Sequence, residues 1–589
     1  MPSDIKDKIK IFRFFIIGIL CLFIFIIFSL SFFYLAGIER GAVSRNIPGS
    51  VKNPIKTAYA GLKNAVIKIE DLPYIIYRFK PSSLPVYNLT IDQKDWNFLN
   101  KNLPDPDNWR EIYYDEKYDG YKPAKFTFNG KTYDVKVRYR GGMPDHWADT
   151  KKSWRVKFPA DNLFLGQRAI NLIIPSGRHF YIDALNNYRA GKLGLAVPKS
   201  DYVQFYINGQ NYGPYYKLEQ WGKEMLEKDE LAGDANQYSE KGPGEEVFKD
   251  IFAWQKVGAD ALSLYDNYAE AGQFISLLDL KTTSDEEFWK KIEGFMDMDT
   301  YYKWQVQAAL AGSIHQNFGH NVQWYFDNAI GKFKPLSDDV SRDDIEGRII
   351  PMNNEQYSID FINMNPVNTR ILKNPKFLYE RNKILWDYLK DDENLEDDLK
   401  FFDDLYDKTK IAIYNDSIKP YSNAWFKSYA AYMRKLTVNN FKYLKNLFKI
   451  SDASYKVSGG KSLPVAIDLQ IKNFTPVYIK NMELSTSGNT GLKWNVYYDK
   501  NKNSLVDTND AIMGSLAYDK IAKKYLFKPV GRVDFHTNRE WIVNKWSRLQ
   551  EKDLLTTNYR LLLVPDQSEA TGKLEIKLTI NNSITEETL

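Results

Sequence analysis

Phe14 to Ile38 is an unbroken run of 25 residues without a formal charge. A helix needs about 20 mostly apolar residues to cross bilayer hydrocarbon. A secretory signal carries an apolar core of only about 7–15. The run therefore predicts an uncleaved single-span membrane helix. Ala58-Tyr59-Ala60 has the small residues of a cleavage site but stands well past the run, and no cysteine follows Leu35-Ala36-Gly37 as a lipid anchor requires. Lys6, Lys8, Lys10 and Arg13 precede the run, and Arg40, Arg45 and Lys52 follow it. That small cationic excess puts the N-terminus inside. The expected location is a bacterial cell membrane, single-pass, with the main body extracytoplasmic.

The whole chain of 589 residues exceeds what one hydrophobic core supports. Aromatics at 15% and apolar residues at 44% exclude a disordered or collagen-like chain. Lys and Arg number 80 against 75 Asp and Glu, a net charge of +5. So even a balance creates no basic field, and nucleic-acid binding has no support. The sole cysteine, Cys21, lies inside the apolar run. Disulfides, cysteine metal sites and a cysteine nucleophile are excluded from the body.

Composition and patterning divide the chain into a short tail (1–13), the apolar span (14–38), a stalk (39–83), a mixed body (84–450) and a C-terminal module (461–589). In the stalk, Ile55, Tyr59, Leu62, Val66 and Ile69 are spaced four and three apart, which aligns them on one helix face. Such a helix packs on the body, lies on a membrane surface or pairs with a second copy. Residues 126–140 alternate about an Asn129-Gly130 hairpin turn, and Tyr202–Glu219 does so about Asn208-Gly209. In 152–158, Trp154, Val156 and Phe158 face one way, Arg155 and Lys157 the other. Residues 180–194, 286–313 and 372–450 read as helical. The acidic block Asp391–Asp398 reads as a solvated helix start or face. From Lys461 the pattern returns to period two, predicting a separate all-β module, a sandwich, with its boundary at Ser451–Lys461.

The stretch from His315 to Asp344 carries the chemistry. A loop ends at Asn321, a short strand follows, a turn at Asp327–Gly331 reverses the chain, and a second strand ends at Asp339. Phosphoryl transfer uses hard oxygen ligands for Mg²⁺, commonly one Asn and one Asp from adjacent loops. This hairpin can bring Asn321 and Asp339 together. Asn and Asp flanking hairpins are also ordinary turn and cap residues.

In order along the chain stand Val137-Arg-Tyr-Arg-Gly-Gly142, Lys151–Phe158, Asn162-Leu-Phe, Leu193-Gly-Leu195 with Pro198, Tyr206-Ile-Asn-Gly, Tyr212–Gln220, and Asn317, Asn321, Gly331-Lys-Phe and Asp339. This ordered set resembles the CotH family, the spore-coat CotH kinases, over roughly residues 84–450. The resemblance implies an atypical two-lobed protein-kinase-like domain that binds ATP and Mg²⁺ and phosphorylates Ser or Thr on extracytoplasmic or cell-surface proteins. It implies Asn321 and Asp339 as metal ligands and Phe333 near the nucleotide. It also implies Lys152, Arg155 and Lys157 toward the phosphates, where cations offset charge, and Glu219 at the start of the second lobe. An edge strand's surface charges and an ordinary hinge residue are the plain alternatives.

Two departures bear on activity. The family's expected catalytic Asp falls at Gln316, and a carboxamide accepts no proton at neutral pH. Beyond Asp339 the family's second acid falls at Ser341. His315 and His320 flank Gln316 and titrate in the right range to serve as base. The alternative is a weak or inactive kinase-like scaffold or adhesin binding surface partners. Asp499, Asn501, Asn503, Leu505, Asp507 and Asp510 stand at positions 1, 3, 5, 7, 9 and 12 of a loop, the pattern of Ca²⁺ coordination. Ser504 replaces the usual Gly and Asp510 the usual Glu. The expected fold is α+β: a single N-terminal transmembrane helix, the two-lobed kinase-like domain and a C-terminal all-β sandwich-like module.

Overall fold

In the computed structural model, the alternating segments of the first half close into a barrel of seven strands. They are β1 (Val86–Thr90), β2 (Lys122–Phe128), β3 (Lys131–Tyr139), β4 (Trp154–Lys157), β5 (Ala169–Ile173), β6 (Ser200–Ile207) and β7 (Gln210–Glu219), in the order β1-β2-β3-β4-β5-β7-β6. Parallel pairing of β1 with β6, Val86 opposite Gln204 through Leu89 opposite Ile207, completes the closure. The structure describes Gly18, Leu22, Gly61 and residues 63–104, 120–142, 144–240, 248–256, 268–313, 321, 323–340, 344–345, 348–349, 365–458, 464–488, 490–543, 549–567 and 573–589.

Period-two patterning decides what the barrel encloses. Tyr133, Val135 and Val137 of β3 and Trp154 and Val156 of β4 point inward. Phe126, Phe158 and Phe164 join them, with Phe158 stacked on Phe164 at 5.0 Å. Arg138 pairs across to Arg155, and Lys136 to Lys157, on the outer face. Asn129-Gly130 and Asn208-Gly209 all take positive φ, between 45° and 80°, as two-residue hairpin turns require.

One expectation is corrected. Among the described residues no helix is long and apolar enough to cross a membrane. The single transmembrane helix is therefore unsupported as part of the fold. Of the run 14–38 only Gly18 and Leu22 are described, and the rest lies outside the described residues.

The second lobe combines a small sheet with helices. Strands β8 (Gln237–Glu240), β9 (Trp254–Lys256), β10 (Gln323–Asp327) and β11 (Lys332–Pro335) align in the order β11-β10-β8-β9. Helix α1 (Gln93–Lys101) flanks the barrel, α2 (Ile182–Lys192) links the lobes and α3 (Lys223–Lys228) follows β7. The remaining helices are α4 (Ala269–Leu278), α5 (Asp285–Phe295), α6 (Met298–Ala311), α7 (Pro366–Leu372), α8 (Pro375–Leu389), α9 (Asp392–Tyr414) and α10 (Asn423–Leu447). Side-chain oxygens start several of them: Ser284 caps α5, Asp297 caps α6 and Ser422 caps α10.

Buried ion pairs lock the lobes. The Lys151 ammonium, from the barrel, donates to the Asp416 carboxylate at 2.6 Å and to the Pro214 carbonyl at 2.8 Å. Gly213 sits against that carboxylate at φ +78°, where a Cβ would approach it to 2.5 Å. Arg189 of α2 donates to Asp398 of α9 at 2.7 Å, and the Tyr388 hydroxyl donates to the same carboxylate at 2.7 Å. Asp398, expected on a solvated face, is fully buried. The reason is that α9 turns it toward a guanidinium it can neutralise.

The C-terminal module starts at β14 (Ala453–Ser458), inside the expected boundary. After it come β15 (Val465–Ile471), β16 (Val477–Thr486), β17 (Trp494–Asp499), β18 (Ala511–Asp519), β19 (Lys524–Pro529), β22 (Thr557–Pro565) and β23 (Leu574–Asn582), while β20 (Asn538–Val543) and β21 (Leu549–Leu555) form a separate ribbon and the short β12 (Asp344–Ile345) and β13 (Arg348–Ile349) pair in the second lobe. The eight module strands form one sheet, β14-β15-β22-β17-β18-β19-β16-β23, rather than the two sheets of a sandwich. The sheet curls around its core until its edges meet: the Tyr455 hydroxyl of β14 donates to the Ile576 carbonyl at 3.4 Å and accepts from the Leu578 N–H at 3.2 Å, both on β23. Trp494, Leu516, Met482 and Ile467 fill its interior.

Candidate functional site

The β10–β11 hairpin positions the two oxygen-bearing residues. Trp324 lies opposite Pro335 and Phe326 opposite Phe333. The Leu336 N–H donates to the Gln323 carbonyl at 3.0 Å, carrying the ladder past both strands. Asn321 lies two residues before β10 and Asp339 four residues after β11, so both flank the same end of the hairpin. The Gln323 amide donates to the Asp338 carboxylate at 2.7 Å, and the Asn321 N–H donates to Glu240 of β8 at 2.9 Å. Asn321 and Asp339 both take the left-handed backbone conformation, φ +54° and +47°. That conformation is rare except for Gly, Asn and Asp. Asn321 is buried, and its Nδ2 has no hydrogen-bond partner.

The segment after the hairpin is held from α2 and α6. The Asn186 amide donates to the Val340 carbonyl at 2.5 Å, and the Gln307 amide donates to Ser337 Oγ at 2.7 Å and the Asn186 carbonyl at 2.9 Å. From the barrel side comes Arg178, in a short 3-10 turn (Pro175–Arg178) after β5. Its guanidinium pairs with Asp339 and lies 3.7 Å from Asp183 at the head of α2. Arg178 is buried, and its Nε lacks a hydrogen-bond partner.

Arg140, one residue past β3, completes a cationic cluster. Burial and the neighbouring Arg178 and Arg155 push its guanidinium down to about 9. Burial pushes the Asp338 carboxyl up, Glu240 adds to this, and Arg178 and Arg140 oppose it. Asp145 is raised by burial. His146 is held well below its ordinary range, first by burial and then by Arg140 and Arg178. Guanidiniums that lower one another in this way are stabilised by an anion, which offsets their shared charge.

The CotH kinase protein family matches residues 137–418. Over that stretch the chain is similar to the CotH kinase family. The CotH region opens inside β3 and closes just beyond Asp416, so it takes in Arg140, Arg178, Asn321 and Asp339. The chain is kinase-like on that ground. A solved structure of the Shewanella oneidensis MR-1 toxin–antitoxin system HipA, HipB with its operator DNA is 13% identical, over 54% of this chain and 64% of that one, with a TM-score of 0.20. The chain thus spans under two thirds of that structure's length, and so slight a likeness carries no argument. No curated protein matches.

The residues expected at a nucleotide are dispersed in the CotH region. The Lys152 ammonium donates to the Trp147 and Asp149 carbonyls, both at 2.6 Å, and so stays with its own loop. Arg155 donates through Nε to Asn171 at 2.9 Å, and Asn171 donates to Gln220 at 2.9 Å. Lys157 is half-buried on the same outer barrel face. Glu219 is buried, pairs with Lys228 and accepts the Lys199 N–H at 3.4 Å. Phe333 is sealed among aromatics, 4.9 Å from Phe326 and 5.0 Å from Phe274. Gln316, His315 and His320 lie outside the described residues. Arg140 and Arg178 were not singled out from the sequence. Arg140 sits in the Val137–Gly142 motif, whereas nothing local marks Arg178.

The 499–510 loop does not support the Ca²⁺ expectation. Its acceptors are turned on its own amides: Asp499 accepts from the Asn503 and Ser504 N–H groups at 3.2 and 2.9 Å, and Asp507 accepts from the side chains of Asn501 and Asn503 at 2.8 and 3.0 Å. Asp510 accepts the Asp507 N–H at 3.0 Å, and the Leu505 N–H donates to Asn503 at 2.8 Å. Among the described residues no group of three or more His, Cys, Asp or Glu is placed to hold a metal ion.

Proposed function

We propose that the chain binds ATP with Mg²⁺ where its two lobes meet and transfers phosphate to Ser or Thr hydroxyls of extracytoplasmic or cell-surface proteins. The observation that carries this reading is the pairing of Asp339, just beyond the β10–β11 hairpin, with the Arg178 guanidinium of the barrel lobe. The donor set fits a hard cation. The Asp339 carboxylate and the Asn321 amide oxygen suit Mg²⁺, which is usually held by one or two carboxylates plus phosphates, while the unpartnered Asn321 Nδ2 is a donor suited to a phosphate oxygen. Asn321 and Asp339 would hold it, and it would supply charge neutralisation at the phosphates. With phosphate bound, Arg178 would be the residue to offset its charge, with Arg140 as its cationic neighbour.

Gln316 orients a hydroxyl without deprotonating it, so the expected transfer is slow. The same residue favours a second reading, a nucleotide-binding scaffold without catalysis. The test incubates the purified full chain with labelled Mg-ATP and Ser-containing peptides. Slow incorporation, abolished in Asp339→Asn, with an ATP-induced rise in Tm, supports transfer. A Tm rise without incorporation supports the scaffold. Neither incorporation nor a Tm rise overturns both.

A further inference from the structure

The segment entering the barrel presents an apolar surface that the body does not cover. Leu72–Phe79 forms a 3-10 helix of 8 residues. With three residues per turn its side chains fall in three rows. The row Asp71, Tyr74 and Tyr77 faces inward. Tyr74 and Tyr77 pack on Tyr414 at 4.9 and 4.8 Å, and Asp71 accepts from the Asn423 N–H at 2.6 Å and Lys419 at 3.3 Å. The other two rows face solvent and carry Leu72, Ile75, Ile76 and Phe79, with Phe79 86% exposed. Helical residues 63–70 extend the surface with Val66 and Ile69, the latter 61% exposed.

The charges on this surface are mostly of one sign. Lys63, Lys68, Arg78 and Lys80 are exposed, against Glu70 alone, because Asp71 is turned inward. An apolar strip flanked by cations matches an interfacial segment, whose apolar side chains enter the acyl boundary while Lys and Arg reach anionic headgroups. A second copy fits less well, because a two-fold interface would set this cationic surface against itself. We propose that residues 63–80 dock on an anionic lipid surface, lying along it rather than crossing it. Tyr74 and Tyr77 fix the body's attitude to that surface. The inference stands apart from the phosphotransfer reading.

The test uses the full chain with Cys21→Ser, labelled by an environment-sensitive fluorophore at Ile76→Cys. The readout is local to residues 63–80, so that binding through any other part of the chain does not register. With mixed phosphatidylcholine–phosphatidylglycerol vesicles, the label's emission shifts to the blue and is quenched by doxyl lipids. A label at Ile521→Cys, 96% exposed in the C-terminal module, stays aqueous. Lys68→Gln and Arg78→Gln each weaken the response about fivefold. No shift at position 76, or a shift indifferent to lipid charge, overturns the proposal. A shift without vesicles that grows with protein concentration also overturns it, in favour of a second copy.

Discussion

At the residue scale, His146 lies inside the barrel's rim where charge is expensive. Its Nδ1 is 3.2 Å from Ser153 Oγ, which accepts the Ile174 N–H at 3.1 Å, and Gly141 packs on the ring too closely for any Cβ. The folded protein holds this imidazole neutral well below its ordinary value of 6.5. As pH falls through about 6.5, the unfolded chain gains a proton that the folded one refuses, so stability is lost on acidification and none is lost above that range. The slope is about 1.4 kcal/mol per pH unit for one such group. His536, also lowered by burial, adds to it with the same sign. Denaturant unfolding at about pH 6.5 and 5.5 should show a smaller stability loss in His146→Gln than in the parent. Equal losses would refute the assignment. The hairpin between Asn321 and Asp339 was legible, since turn and strand signals are local, although its second strand ends at Pro335 rather than at Asp339. Arg178 was not, because its meaning depends on a carboxylate from the other lobe.

At the element scale, the tie between barrel and helices has a measurable strength. Lys151 and Asp416 are 265 residues apart in sequence and both nearly sealed from solvent. Removing one partner strands the other's charge, at a cost of about 3–5 kcal/mol. Lys151→Met should therefore be strongly destabilising in urea. The double variant Lys151→Met with Asp416→Leu should cost less than the sum of the single variants. Additive losses would show that the pair does not act as a unit. Gly213→Ala should be destabilising too, since it combines positive φ with a clash on the same carboxylate. The alternation of β3 and β4 and both Asn-Gly hairpins were readable from sequence. The burial of Asp398 was not, because an acidic run on a helix looks solvated until the partner Arg189 on α2 is placed.

At the scale of the whole molecule, the C-terminal module shares its core with the helical lobe. Phe448, just past α10, packs against Trp386 at 5.2 Å and Phe474 at 5.3 Å. Asn582 donates to the Phe448 carbonyl at 3.2 Å. Phe474→Ala should cost about 3–5 kcal/mol and, in calorimetry, split one melting transition into two. A single unshifted transition would show that Phe474 does not couple module to lobe. Period two announced the module's strands. Whether they formed one sheet or two was set by how far the sheet curls, a sum of many small twists that no single segment encodes.

The module's first strand leaves directly after Phe448, and its last returns to the same carbonyl through Asn582. Entry and exit therefore share one corner of the bundle. Load on the module therefore reaches the helical lobe at the end of α10 and at α8, where the Tyr379 hydroxyl donates to the Ser583 carbonyl at 3.5 Å.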